Sequence, residues 1–241
     1  MLLTIASLLR KPNTTNESKE TSRLEAFSDG VFAIAITLLI LELIQILDPR
    51  DHHSLVSQLF SHWQALAAFG IGFLTILICW INHHLAFLYI KRLDTSLFWA
   101  NGFVLLVVTL TPFPTAILAE YFEQEPKTAL SIFGINYFLM SLAAYSIMAS
   151  AYKNHLVEEQ DRPLFHNLKS LYGYAIIYTF LAFFVCLISV LAGIACFCIL
   201  FLVFAFPEAS SRRLLSIKKR SLKRAARSRV MKATLRKEKQ V

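Results

Sequence analysis

The most informative segment of this chain reads Arg23-Leu-Glu-Ala-Phe-Ser-Asp-Gly-Val-Phe-Ala-Ile-Ala-Ile-Thr-Leu-Leu-Ile-Leu-Glu-Leu43. It opens with a polar turn that contains Ser28 and Asp29, and then runs apolar from Gly30 to Leu41 with only Thr37 interrupting. A helix of this length extends about 30 Å, which is enough to cross a bilayer. Polar groups in hydrocarbon are costly without partners, so Asp29 and Thr37 argue against a helix that faces only lipid.

The composition of the whole chain is that of an integral membrane protein. Its 241 residues are 56% hydrophobic and 17% charged, and the mean hydropathy is +0.55. Soluble domains average about 45–50% apolar and 25% charged residues. The four cysteines lie inside apolar runs without Cys-x-x-Cys spacing, so we interpret them as small buried hydrophobes. The sequence predicts neither a metal site nor a cofactor.

Apolar runs of membrane length recur along the chain and predict an all-α fold of six spans, at residues about 25–47, 63–90, 97–119, 129–152, 170–188 and 190–207. The last apolar stretch, residues 171–206, is too long for one span and slightly short for two. A break between Ser189 and Gly193 gives six spans, whereas a single tilted helix would give five. Pro112 and Pro114 predict a kink at the end of the third span.

The distribution of loop charges favours six spans over five. With six, the side that holds both termini carries 22 of the 24 Lys and Arg residues, and the other side carries only Arg50 and Lys127. The positive-inside rule then places both termini in the cytoplasm. The chain divides into an N-terminal segment, residues 1–22, a membrane domain, residues 23–207, and a basic tail, residues 208–241. We expect the tail to attract anionic lipid, and we do not expect nucleic-acid binding.

Buried polar residues at one depth near the cytoplasmic surface form the candidate site. They come from the first three spans and comprise Asp29, Trp80, Asn82, His83, His84 and Asn101, with Arg23 as a further candidate partner of Asp29. One interpretation is a hydrogen-bonded network that clamps the three helices together. The other is a proton-sensing or proton-relaying site. A metal or catalytic centre is disfavoured, because adjacent histidines point apart on a helix and no activated serine or cysteine accompanies them. The partner of Asp29 stays open.

Beyond this polar turn, the first helix carries a stripe of Ile34, Leu38 and Leu41, flanked by Ala35 and Thr37, with Gly30 and Ser28 toward its inner end. Such a stripe is usual for any packed helix, so its spacing alone does not establish a pore. No Thr-Val-Gly-Tyr-Gly filter occurs in the chain.

Five short motifs together resemble the transmembrane protein 175 family of potassium channels, in its bacterial branch with one six-span repeat per chain. They are Arg23-x-x-x-Phe27-Ser28-Asp29, Ala33-Ile34-x-x-Thr37-Leu38, Leu41-Glu42-Leu43, Trp80-Ile-Asn-His-His84 and Pro112-Phe-Pro-Thr115. The resemblance implies a homotetramer in a bacterial inner membrane, with the first helix of each copy around a central potassium-conducting pore. It implies that Ile34, Leu38 and Leu41 form the constriction and that Thr37 discriminates ions. It also implies that Arg23 and Ser28 belong to the polar network, and that this network positions the helix. The alternative is a proton-coupled secondary transporter that uses Asp29, His83 and His84. We do not expect an enzyme.

Overall fold

The computed structural model describes residues 14–45 and 54–205, and these residues form helices joined by short loops. Helix α1 covers Thr14–Gln45 and is followed, in chain order, by α2 (Leu55–Ser61), α3 (Trp63–Tyr89), α4 (Thr95–Leu110), α5 (Pro112–Tyr121), α6 (Pro126–Lys153), α7 (Arg162–Ile188) and α8 (Val190–Ala205). The expectations for residues 1–13 and for the basic tail, residues 208–241, lie outside the described residues.

Five helical segments of the described chain are long and apolar enough to cross a membrane. They are Glu20–Leu41 within α1, α3, the combined α4 and α5 (Thr95–Tyr121), α6 and α7. The last apolar helix, α8, covers 16 residues up to Ala205, which is fewer than the roughly 20 needed for a span. The all-helical membrane fold is therefore confirmed, while the count of six spans stays a prediction.

The last apolar run breaks at Ser189, at the start of the window given by the sequence. Ser189 adopts an extended backbone, with φ −143° and ψ 120°, between the end of α7 and the start of α8. After this break, α8 packs closely on α6 and α7. A Cβ atom at Gly193 would lie 2.7 Å from Cys186 Sγ and 2.9 Å from Leu130 Cδ2, so only glycine fits there without a shift.

The third predicted span is interrupted at Thr111, between α4 and α5. Proline at position 112 cannot donate a backbone hydrogen bond, and threonine hydroxyls bond to carbonyls around the interruption. Thr111 Oγ1 donates to Val107 O at 3.0 Å, and Thr115 Oγ1 donates to Thr111 O at 2.9 Å. The regular helix is thus interrupted next to Pro112, and the kink predicted from Pro112 and Pro114 stays a prediction.

Helix α1 lies at one side of the bundle and packs against α3, α4 and α5. Its buried stripe consists of Leu24, Ser28, Phe32, Ala35 and Leu39, which follow one another at helical spacing. Helices α6 and α7 pack along much of their length and, with α8, form the opposite side of the bundle. The face of α1 that points away from this bundle is left uncovered within the single chain.

Candidate functional site

A buried chain of hydrogen bonds joins α1 to α4 and α3. Ser28 Oγ donates to the carbonyl of Leu24, one turn earlier in α1, at 2.8 Å. Asn101 Nδ2, on α4, donates to Ser28 Oγ at 3.0 Å. His83 Nε2, on α3, lies 2.7 Å from Asn101 Oδ1. The amide side chain of Asn101 on α4 thus connects α1 to α3.

The order of these bonds fixes which atom carries each proton. Because the Ser28 hydroxyl donates to a carbonyl, its oxygen accepts, and the group facing it must be the amide nitrogen of Asn101. The Asn101 oxygen then faces His83, so His83 Nε2 donates to it. No carboxylate contacts the buried His83 ring among the described residues. Its ring contacts are Phe32 and Phe87, with centroids at 5.3 and 4.5 Å.

Asp29 and His84 lie beside this series of hydrogen bonds and are less buried than Ser28, His83 and Asn101. Trp80 Nε1 donates to Asp29 Oδ1 at 2.8 Å, so an indole rather than an imidazole satisfies the carboxylate. His84 stacks on Trp80, with ring centroids 5.9 Å apart and planes at 23°. His84 Nδ1 lies 2.9 Å from Glu25 Oε1, at ion-pair distance but without the alignment of a hydrogen bond. The hydrogen-bond partner of Asp29, which the sequence left open, is therefore Trp80 rather than His83 or His84.

Asn82 does not join the network in which the sequence analysis placed it. Its Nδ2 donates to the carbonyl of Phe204 at 2.9 Å, and its Oδ1 accepts from Tyr172 at 2.8 Å. Adjacent helical residues point about 100° apart, so Asn82 faces α7 and α8 when His83 faces α4. Asn82 ties α3 to the far side of the bundle instead.

Two charged residues in the first half of α1, Arg23 and Glu25, have contacts that differ from those predicted from the sequence. Arg23 is exposed in the single chain, and none of the described hydrogen bonds or ion pairs connects it to the network. Glu25, which the sequence analysis did not include, contacts His84. It stands four residues before Asp29, on the same face of α1. From the sequence, this four-residue spacing could have indicated that a second carboxylate belongs to the site.

The opposite face of α1 carries the predicted constriction residues. Within the single chain, Ile34 is 61%, Leu38 39% and Leu41 49% exposed. Thr37 is exposed beside them, and its hydroxyl donates to the carbonyl of Ile34 at 2.8 Å. The structure thus separates α1 into a face held by the polar network and a face that its own chain leaves uncovered.

The region of the chain that contains the polar network also matches known proteins. Residues 23–112 match the family described as endosomal/lysosomal potassium channel TMEM175. The fold superposes on the crystal structure of a lysosomal potassium-selective channel TMEM175 homologue from Chamaesiphon minutus, with a TM-score of 0.70. That likeness has 36% sequence identity and covers 79% of this chain and 98% of the other. The chain belongs to the TMEM175 family.

Curated TMEM175 relatives match over part of their length. A relative from Chamaesiphon minutus named a potassium channel is 48% identical over 120 residues, which cover 48% of this chain and 59% of the relative. A Gallus gallus relative named an endosomal/lysosomal proton channel is 30% identical over 145 residues, 56% of this chain and 29% of that protein. The chain spans about three fifths of the curated bacterial TMEM175 protein and less of the animal one. The family resemblance given by the sequence motifs is confirmed.

The TMEM175 match covers the whole candidate site. Residues 23–112 contain α1 from Arg23 onward, α3 and α4, and so include Ser28, Asp29, His83 and Asn101. Among the described residues, no group of three or more His, Cys, Asp or Glu side chains could hold a metal ion.

Proposed function

We propose that this protein is a potassium channel in which four copies place their α1 helices around a central pore. The observation that carries the proposal is the division of α1 into two faces. One face is fixed by buried hydrogen bonds to α3 and α4, and the other, with Ile34, Leu38 and Leu41, is exposed within the chain. The family supports this function, since relatives are named potassium channels.

The exposed face has a spacing that is compatible with packing around a common axis. Phe27, Ile34 and Leu41 are exposed and repeat every seven residues, and Gly30 and Thr37 form a parallel row with the same repeat. A seven-residue repeat is the pattern by which parallel helices pack around a common axis. Rings of four isoleucine or leucine side chains would then form the constriction, and a narrow apolar ring gates by excluding water.

Thr37 is the proposed residue for ion discrimination. Its hydroxyl hydrogen is directed to the carbonyl of Ile34, so the oxygen lone pairs remain available to a cation. A ring of four such oxygens beside an apolar ring would replace part of the hydration shell of a permeating ion. The chain has no Thr-Val-Gly-Tyr-Gly segment that could do this in its place.

The membrane arrangement proposed from the loop charges has six spans in a bacterial inner membrane, with both termini in the cytoplasm. In that arrangement the polar network lies near the cytoplasmic surface. The basic tail would face anionic lipid headgroups on the same side.

The alternative, a proton-coupled transporter that uses Asp29, His83 and His84, has less support. Such a site needs these groups to exchange protons with one another. Instead Asp29 is bonded by Trp80, His83 by Asn101, and His84 lies against Glu25. Because each group has its own hydrogen-bond or ion-pair partner, a structural role for the network is favoured.

Single-channel recording of the purified protein in planar bilayers tests the proposed function. We expect discrete current steps in potassium chloride, and a reduced preference for potassium over sodium in Thr37→Val, which keeps the shape of the side chain and removes the hydroxyl. Slow, saturable flux without unitary steps would instead indicate a carrier.

A further inference from the structure

Basic side chains at the start of α7 converge on one aromatic ring at the end of α6. Arg162 Cζ lies 5.2 Å from the centroid of the Tyr152 ring, and Lys169 Nζ lies 5.1 Å from it. The His166 ring has its centroid 5.4 Å from the same ring. Positions 162, 166 and 169 follow one another at i, i+4 and i+7, which is the spacing of one helix face. These four residues form a basic cluster between α6 and α7.

The positive charge of the basic cluster is only partly balanced by carboxylates. Arg162 Nη1 donates to Glu159 Oε1 at 2.9 Å, but the Glu159 side chain is 80% exposed, and exposed ion pairs are weak because water screens both charges. Lys169 forms no ion pair with any residue in the described part of the chain. The other carboxylates of the preceding loop, Glu158 and Asp161, pair with neither cation there. The two cations are therefore available to an anion.

An exposed apolar row continues along α7 from the basic cluster. Its large side chains follow one another at helical spacing: Tyr174, Ile177, Leu181, Phe184 and Ile188. His166 stands about three helical turns before Ile177, so the row begins at the cluster. Two cations at one end of a long apolar row match the two parts of a phospholipid, a phosphate headgroup and its acyl chains.

The position of α7 in the bundle favours lipid over a second copy of the chain as the occupant. Helix α1 packs against α3, α4 and α5, and α7 lies on the opposite side of the bundle. In the proposed arrangement around α1, α7 is therefore at the periphery, next to lipid. The loop between α6 and α7 also belongs to the side that carries most of the Lys and Arg residues. Basic pockets between membrane helices on the cytoplasmic side bind anionic headgroups.

We propose that the basic cluster is a binding site for an anionic phospholipid, with its phosphate between Arg162 and Lys169 and its acyl chains along the exposed row of α7. Only the choice of lipid over a second copy uses the proposed arrangement around α1. Lipid binding itself does not depend on conduction, so the two are tested separately.

Native mass spectrometry of the purified protein in a neutral detergent tests the site. The probes are phosphatidylglycerol, which is anionic, and phosphatidylcholine with the same acyl chains, which has no net charge. The preference is the ratio of the two dissociation constants for the first bound lipid. We expect the wild type to prefer phosphatidylglycerol. Removing one cation, in Arg162→Gln or in Lys169→Gln, should lower this preference about fivefold.

Three further variants separate lipid binding from a purely structural role of the cluster. Lys169→Arg keeps the charge and should keep the preference. Glu159→Gln removes the carboxylate that competes for Arg162, and should increase the preference. Lys127→Gln removes one charge at an exposed position at the other end of α6, and should leave the preference unchanged. Every variant retains the basic tail, so the differences among them report the cluster.

Variants are compared when they retain the wild-type helical content and elution volume. Glu159→Gln changes an exposed loop position and leaves the Tyr152 ring contacts intact, so it tests the site even where the cation variants do not fold. Equal binding of the two lipids by the wild type would overturn the site. A preference that survives both cation variants, or one that falls in Glu159→Gln, would do the same. Displacement of phosphatidylglycerol by millimolar inorganic phosphate would show a site for free anions and overturn the lipid assignment.

Discussion

Replacing Asn101 by leucine removes the amide at the centre of the network while keeping a side chain of similar size. Asn101 is 1% exposed and has contacts to Ser28 and His83. The matched control is Asn136→Leu. Asn136 is 2% exposed, but its Nδ2 makes one longer bond of 3.2 Å, to Thr111, and its Oδ1 is already unpartnered. Both substitutions replace a buried asparagine by leucine, but they differ in which polar groups lose a hydrogen-bond partner.

The expected cost follows from the groups that lose a partner. Without Asn101, the N–H of His83 is left unpaired in the interior, and Ser28 keeps only its bond to Leu24. Buried unpaired groups cost about 1–3 kcal/mol in soluble proteins, but polar contacts between membrane helices average about 0.6 kcal/mol each. We therefore expect a loss of about 1–2 kcal/mol per chain. Asn136→Leu should be nearly neutral, because Thr111 still donates to Val107.

The assay is the free energy of unfolding in mixed micelles, followed by tryptophan fluorescence and helical circular dichroism as denaturing detergent is added. Asn101→Leu should unfold at a lower fraction of denaturing detergent than the wild type, and Asn136→Leu at about the same fraction. If Asn101→Leu were as stable as the wild type, or if both variants lost equal stability, the network would not be the clamp that holds α1.

Three further substitutions, the last with a matched glycine control, test the proposed pore, the Trp80–Asp29 hydrogen bond and the packing of α3. Ile34→Asn should raise potassium current in planar bilayers, because a polar ring wets an apolar constriction; unchanged current would place the stripe outside the pore. Trp80→Phe keeps the ring stacking but loses the indole hydrogen bond, and should lower the unfolding free energy by about 0.6 kcal/mol in the same micelle titration. Gly72→Ala should destabilise by about 1–3 kcal/mol, because its Cβ would lie 2.8 Å from Thr115 Cγ2, whereas Gly70→Ala meets no atom within 4 Å and should be neutral or stabilising.

The depth of each polar residue along its helix could be predicted from the sequence. The rotation of each helix about its own axis could not. Span length and loop charge predicted that Asp29, Trp80, His83 and Asn101 lie at one level, and the structure brings them together. The pairings depend on the angular position of each helix, which a shift of one residue changes by about 100°. For this reason Asn82 turned out to face the other side of the bundle.

The same limit applies to the exposed face of α1. Its apolar spacing is equally compatible with lipid, with a neighbouring helix and with a pore, so periodicity could not choose among them. The structure adds that Ala35 and Leu39 are buried while Ile34 and Leu38 are exposed. The break at Ser189 was predictable because the last apolar run was too long for one span.

The most direct test of the central claim is the reversal potential of the purified protein in liposomes or planar bilayers, with potassium on one side and sodium on the other. A pore lined by Ile34, Leu38 and Thr37 predicts a reversal potential shifted toward the potassium equilibrium potential, with no dependence on a proton gradient. A current that reverses at zero under these conditions, or that follows the proton gradient instead, would contradict the assignment of α1 as the wall of a potassium-conducting pore.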